Sequence, residues 1–541
     1  MKRLTASGLV CLLVLVLFSA VAVSTCSKTS GSLTVTAISP AFGTSVGGVA
    51  TTITGTGFLR GATVTLGGVP CSSRTVISET EIGCTTAAYP VPYDSLVDVA
   101  VTNLDNQSVK LTGGFTYSGG WQLIDGSATG LNKDGSHGAI FPFPGVNGTK
   151  LYVAWMEHAG TDPGVLDNQV RVAQFNGDTS NPGWTFVDGG GINVGLTIDA
   201  RVPKLATWNS NLYAIWEEGP KDRSGWVYVK KFDGTSWTSV SAAQTSGGVG
   251  MNWFPLADGA ELPVMTVFNN KLYVAWVEDD NQTDDHSSSG DVWQIRVAVY
   301  NGTSWKYIEK TTPDNLGINY DVTKVAVIPA IAVVNSKLYV GWEEKAADGL
   351  FHVRVKKYGG DDSAPSWTSV DVSATGLNRV GTRAARFVDL VDLGGVMYAG
   401  WTEPFVSTSP ADQVRIASYN GNDASPSWTF VDGNDADKGI NKDTSAKAIG
   451  PRMTVVASKL YASIFEQNAA GFWQTRVRLF NGTGGTPLWS NADGGGSNGL
   501  NADPTHDSGG SPLFSYGGKL CATWSEADSS KIGQVRVACQ K

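Results

Sequence analysis

Lys271-Leu272-Tyr273-Val274-Ala275-Trp276-Val277-Glu278 places apolar side chains on both faces of an extended segment and is too short for a helical stripe. The string returns as LYVAW at 151, LYAIW at 212, LYVGW at 338, MYAGW at 397, LYASI at 460 and LCATW at 520. Two other landmarks keep step with it. A Trp opens each unit at Trp121, Trp184, Trp237, Trp305, Trp367, Trp428 and Trp489. A Gly-(Leu/Ile/Met)-Asn triplet ends at Asn132, Asn193, Asn252, Asn319, Asn378, Asn441 and Asn501. Seven occurrences of each argue for seven units.

Each unit holds four strand-length segments. We label them A (such as PKLATW), B (LYVAW), C (QVRVA) and D (the Trp-led segment) from the inside outward. Four-stranded units repeated radially make a β-propeller, and a strand apolar on both faces fits a blade packed between two others. The expected fold is therefore all-β: a seven-bladed β-propeller over 118–541, preceded by a smaller β domain. The array opens on a D segment and ends on a C segment, so Trp121-Gln-Leu-Ile is expected to complete the last blade and close the ring. Pairing Cys521 with Cys539 puts Trp524 opposite Arg536 in the same register, with Glu526 diagonal to that Arg.

The polar positions repeat as well. Glu157, Glu218, Glu278, Glu344, Glu403, Glu466 and Glu526 each stand two residues beyond the strand B Trp position, which Ile464 fills in one unit. Strand C carries Arg171, Arg296, Arg354, Arg415, Arg476 and Arg536, with Tyr228 in the second unit. Topology gathers these residues on one rim. A Glu–Arg pair over a Trp in nearly every blade reads first as a structural staple, because a desolvated Arg needs a carboxylate and stacks on indole. The same residues also suit a sugar site, and both readings stay open. In this layout the array distantly resembles fucose-binding propeller lectins, whose repeated sites use Arg, Glu and Trp. Trp226, Trp293, Phe351, His352 and Trp473, just before strand C, vary between units and are expected to be displayed for ligand contact.

Residues 33–117 contain short alternating β segments. ISPAFGTSVGGVATTITGTGF, VTLGGVPCSS and TEIGCTTAAYP resemble the IPT/TIG domain, an immunoglobulin-like sandwich. The resemblance implies a spacer or protein-interaction module, and Cys71 with Cys84 forms its paired-cysteine segment. Residues 1–25 read as a secretory signal: Lys2 and Arg3 precede an apolar run from Leu9 to Val23. Two cleavage readings stay open, an Ala20-Val21-Ala22 site and a lipobox that would attach lipid at Cys26. Residues 26–32 form a linker. Either reading exports the chain to a disulfide-permitting compartment.

Function classes narrow accordingly. The formal charge is −9 with a pI near 5.2, which excludes a basic nucleic-acid groove. No Cys/His cluster of zinc spacing is present, so no metal centre and no cofactor are expected. The acidic run from Asp279 to His286 is rich enough to hold calcium, but it lacks the order of an EF-hand loop. Gly43-Thr44-Ser45-Val46-Gly47 matches a nucleophile elbow only in letters, since a turn between β segments is the wrong setting. The expected role is non-catalytic binding of a glycan or a cell-surface protein. The alternatives are a polysaccharide-active hydrolase or lyase working on the same rim, and a structural envelope component.

Overall fold

The computed structural model describes residues 31–541 except 91–92, 94, 127–128, 160–167, 196–197, 220–224, 242–249, 254–258, 280–291, 311–315, 372–373, 405–410, 434, 436, 483–487 and 495–498. Cys26, the signal segment and most of the acidic run after Asp279 lie outside the described residues.

Residues 34–118 form two packed sheets, one of four strands and one of five, around Ile53, Val64, Ile82, Val99 and Phe115. Cys71 and Cys84 are bonded at the side of this core. Ser45 is buried behind the end of a short strand, and no helix follows it, so the elbow reading has no structural support. Tyr93 reaches out of the domain, donates its hydroxyl to Leu500 O, and joins the apolar cluster of the last two blades.

From Trp121 onward the described residues form seven antiparallel sheets, each in the order A–B–C–D. In the third blade these strands are Ala260–Phe268, Lys271–Asp279, Trp293–Tyr300 and Trp305–Tyr307. Strand B is buried almost end to end, as its two-faced apolar sequence requires. The A–B hairpins turn on residue pairs such as Asn209-Ser210, Asn269-Asn270 and Asn335-Ser336, whose φ values of 46° to 60° are those of the tight turns that match strand twist. The A strands of successive blades contact one another around the ring and so wall a central channel.

The ring closes as its sequence implies. Trp121–Leu123 pairs with Gly533–Gln540 as the outer strand of the last blade. Cys521 faces Cys539 and is bonded to it, and Trp524 faces Arg536. The seven strand D indoles form a second closure. Each Nε1–H donates to a strand D end carbonyl of the preceding blade at 2.5 to 2.8 Å, and Trp121 completes the circle on Ala492 O.

Candidate functional site in the central channel

The repeated rim residues are joined into the scaffold. Each of the seven Glu side chains is at most 5% exposed. Each accepts one or two backbone N–H bonds from the turn arriving from the preceding blade, as Glu278 does from Trp253 and Glu344 does from Tyr320 and Asp321 at 2.7 and 2.8 Å. In six blades the same carboxylate also accepts the strand B indole N–H at 2.7 to 3.0 Å. The triplet Asn anchors the other side of that turn. Asn378 Oδ1 accepts Val353 N–H of strand C, and its amide donates to Phe351 O and Arg383 O. The triplet Gly is needed because a Cβ at Gly376 would meet Val353 O at 2.2 Å, and at Gly499 would meet Thr475 O at 2.2 Å. Each Glu thus fastens its own blade to the turn from the blade before, while Asn fastens that turn to its blade of origin.

The strand C Arg residues are also buried, at most 8% exposed, but the expected Glu–Arg pairing over Trp is not their main arrangement. Their nearer carboxylate stands four residues after the strand D Trp. Arg171 meets Asp188 at 3.1 Å, Arg354 meets Asp371 at 3.5 Å, Arg415 meets Asp432 at 3.2 Å, Arg476 meets Asp493 at 3.3 Å and Arg536 meets Asp125 at 2.8 Å. Arg296 has Glu309 in that place. The strand B Glu of the repeat lies farther off, 3.7 to 4.0 Å from Arg296, Arg415 and Arg476. Stacking likewise goes elsewhere: Arg354 covers Tyr320 at 4.1 Å and Arg171 covers Phe186 at 5.3 Å, while Lys230 and Lys356 sit over Trp216 and Trp342. The second blade, lacking the Arg, also lacks the acid: Tyr228 and Ser241 occupy the two positions.

The residues expected to be displayed before strand C are not exposed. Trp226, Trp293, Phe351 and Trp473 are partly buried, with Trp226 and Trp293 packed onto blade cores. His352 is fully buried, its Nε2 3.0 Å from Asp348 Oδ2. They cover blade edges because they open a strand that is itself buried on both faces. Trp208, which also falls outside the repeat, is 5% exposed.

The repeat breaks chemically in the channel. Six A strands bulge at the same place, where two residues leave the ladder with B, and in the last blade the A strand is interrupted there by Gly510, Ser511 and Pro512. The first residue off the ladder has positive φ in all seven blades: Phe141, Val202, Leu262, Ile328, Phe387, Gly450 and Gly510, at 50° to 66°. For bulky residues this conformation costs about 1–3 kcal/mol each and persists only where the surroundings hold it. Strand B of the preceding blade does so. Leu262 N–H donates to Glu217 at 2.7 Å, Phe387 N–H donates to Glu343, and Gly450 N–H donates to Thr402 Oγ1 at 3.0 Å. The result is an apolar collar in which Phe141 is 45% exposed.

Two residues past the collar the chain presents Phe143, Lys204, Val264, Ala330, Asp389, Arg452 and Pro512. Collar and layer together line a cavity of about 310 Å³, with a smaller one of about 140 Å³ beside it. The first volume falls near the lower end of the ~300–1,000 Å³ of small-molecule sites. Burial, with Glu261 adding to it, raises the Glu217 carboxyl to about 7 against the pull of the Leu262 N–H and Arg201. Burial likewise raises Glu343 to about 7. Sequence reading missed this site. Its signal was the Pro after the collar residue, at Pro142, Pro203, Pro263, Pro329 and Pro451, followed by charge in an otherwise apolar column. Among the described residues no cluster of His, Cys, Asp and Glu could hold a metal ion, and no helix is long and apolar enough to cross a membrane.

Residues 33–117 match the IPT/TIG domain. No curated protein matches the chain. Among solved structures, the chain is similar to the polysaccharide lyase Uly1, with 9% identity and a TM-score of 0.45 over 73% of this chain and 88% of that one. It is similar to an α-L-arabinofuranosidase from Lactobacillus brevis, with 14% identity and a TM-score of 0.32 over 54% and 93%. It is also similar to the Trypanosoma rangeli sialidase, with 11% identity and a TM-score of 0.39 over 63% of this chain and 54% of that one.

Proposed function

We propose that this is an exported protein whose propeller binds a glycan in the channel without cleaving it, held off its anchor or partner by the IPT/TIG domain. One observation carries the reading. The rim Trp, Glu and Arg residues are used in packing blades and joining them, whereas the channel holds open aromatic faces beside an asymmetric set of charges. Phe141 offers a ring surface of the kind on which a sugar's apolar face stacks, and the nearby charged groups can orient hydroxyls. A cavity of about 310 Å³ admits one or two sugar rings more readily than a protein surface. Export is supported by two disulfides, each closing within its own domain, together with the signal-like N-terminus.

A glycan-array screen of the intact protein, followed by titration calorimetry of the hits, tests this. Saturable binding without new reducing ends is expected, and Phe141→Ala should weaken it at least tenfold while leaving the melting temperature within a few degrees. Binding that Phe141→Ala leaves untouched would move the site off the channel. A second reading, a polysaccharide-active enzyme, has one specific observation in its favour: Glu217 and Glu343 are held near 7, where a carboxylic acid can donate a proton at neutral pH. New reducing ends that disappear in Glu217→Gln or Glu343→Gln would establish it in place of the first.

A further inference from the structure

The charges of the channel layer do not balance. Lys204 Nζ lies 4.6 Å from the centre of the Phe143 ring. Arg452 donates from Nη1 to Pro451 O at 3.1 Å, and Asp389 accepts the Met453 N–H at 2.6 Å. Among the described residues neither cation forms an ion pair with Asp389 or with another carboxylate. Burial, and then the nearby Arg452, hold the Lys204 ammonium down at about 7, with Asp389 opposing them. With Lys204 protonated, the form an arriving anion favours, two cations face one acid in the lining and leave one surplus positive charge in a cavity walled mainly by apolar side chains, with Glu343 acting on Arg452 from outside that lining. A half-buried charge without a paired counter-charge carries part of the cost of desolvation, and a ligand that supplies one negative charge reduces that cost. A monoanion fits better than a dianion, because Asp389 repels a second negative charge and the surplus is one. Arg452 presents a planar fork suited to a carboxylate.

We propose that Lys204 and Arg452 form a subsite for the carboxylate of an acidic sugar residue, a uronate, with Asp389 accepting a hydrogen bond from a hydroxyl of the same or the adjoining ring. This rests on the glycan-binding reading and narrows it to a ligand class. The collar stacks the ring, and the layer beneath it reads the acid.

The test is titration of the intact protein with a panel of uronate oligosaccharides and the same oligosaccharides after reduction of their carboxyl groups to alcohols. Each acidic ligand that binds should do so at least tenfold more tightly than its reduced counterpart. Lys204→Met and Arg452→Met should each abolish that preference, leave binding of the reduced ligand in place, and keep or raise the melting temperature. Asp389→Asn, which enlarges the surplus charge, should tighten the acidic ligand severalfold and guards against misfolding of the Met variants. Equal affinity for acidic and reduced ligands, or a preference that survives both Met variants, overturns the subsite while leaving the glycan reading intact. Failure of both sets to bind overturns the glycan reading and the subsite with it.

Discussion

Replacing Arg354 by Tyr should unfold the propeller several degrees early, and adding Asp371→Ser to the same chain should restore most of the loss. The two side chains meet at 3.5 Å, with 3% and 2% of their surfaces exposed. Removing one partner of a buried pair strands the other and costs about 3–5 kcal/mol. Unfolding entropy of about 2 cal/mol/K per residue over roughly 420 propeller residues converts each kcal/mol into about 1 °C, so each single variant should melt roughly 3–5 °C low. The double variant recreates the second blade. There Tyr228 stacks on Trp216, with ring centres 5.9 Å apart and planes 28° apart, and Ser241 Oγ accepts the Val229 N–H at 2.7 Å. The fourth blade offers the same room, since Ser369 stands where the second blade has Ser239. A coupling of about 2–3 kcal/mol is expected. Differential scanning calorimetry of the four disulfide-intact proteins measures it. A double variant no more stable than Arg354→Tyr alone would refute the claim that the strand C cation and the acid after the strand D Trp act as one exchangeable unit.

Three further outcomes follow from the same structure. Glu217, Glu309 and Glu343 are raised to about 7 by burial, so the folded protein binds more protons than the unfolded chain between about pH 4.5 and 7. Stability should therefore fall as pH rises through that window, by on the order of 3 kcal/mol per group, and Glu309→Gln should flatten a plot of melting temperature against pH. Asp423, lowered to about 2 despite partial burial by bonds from Lys337, Lys357 and Tyr419, acts in the opposite sense. Its contribution is present above the usual aspartate range and is lost as pH falls toward 2, so Asp423→Asn should remove part of the acid-side decline in a pH melt series. Replacing Cys521 and Cys539 together by Ser should cost about 3 kcal/mol for the loop they close, which urea unfolding of this variant beside the oxidised wild type, both keeping Cys71–Cys84, would check.

The strand plan, the ring closure and the Cys521–Cys539 register were legible because they rest on the recurrence of strand-length segments, on chain order and on antiparallel register, which survive without any knowledge of neighbours. The partner of Arg354 was not. Its acid lies beyond strand D, across a sheet edge, whereas Glu344 stands nearer in sequence and in register and drew the assignment. The rim Trp residues misled for a related reason: Trp293 breaks the repeat, but it opens a strand buried on both faces and inherits that burial. The channel was hidden more deeply. A bulge shifts the facing of every residue after it, so Lys204, Asp389 and Arg452 could not be assigned to one layer until the positive φ at Val202, Phe387 and Gly450 was known.

The circle of indole bonds that ends on Ala492 has a consequence for biosynthesis. Trp121 leaves the ribosome about 420 residues ahead of Gln540, its strand partner, and at roughly 5–20 residues per second it waits some 20–80 seconds for that partner to exist. Through that interval the nascent chain carries an orphan outer strand at its front and open blade edges behind it. A stop codon or a proteolytic cut that removes only the last strand would therefore disable both ends of the array at once, since Trp121 would lose its ladder and the first blade its neighbour. If the chain is exported as proposed, passage across a membrane before folding would spare it this wait, because the whole array would reach the far side with both ends of the ring already made.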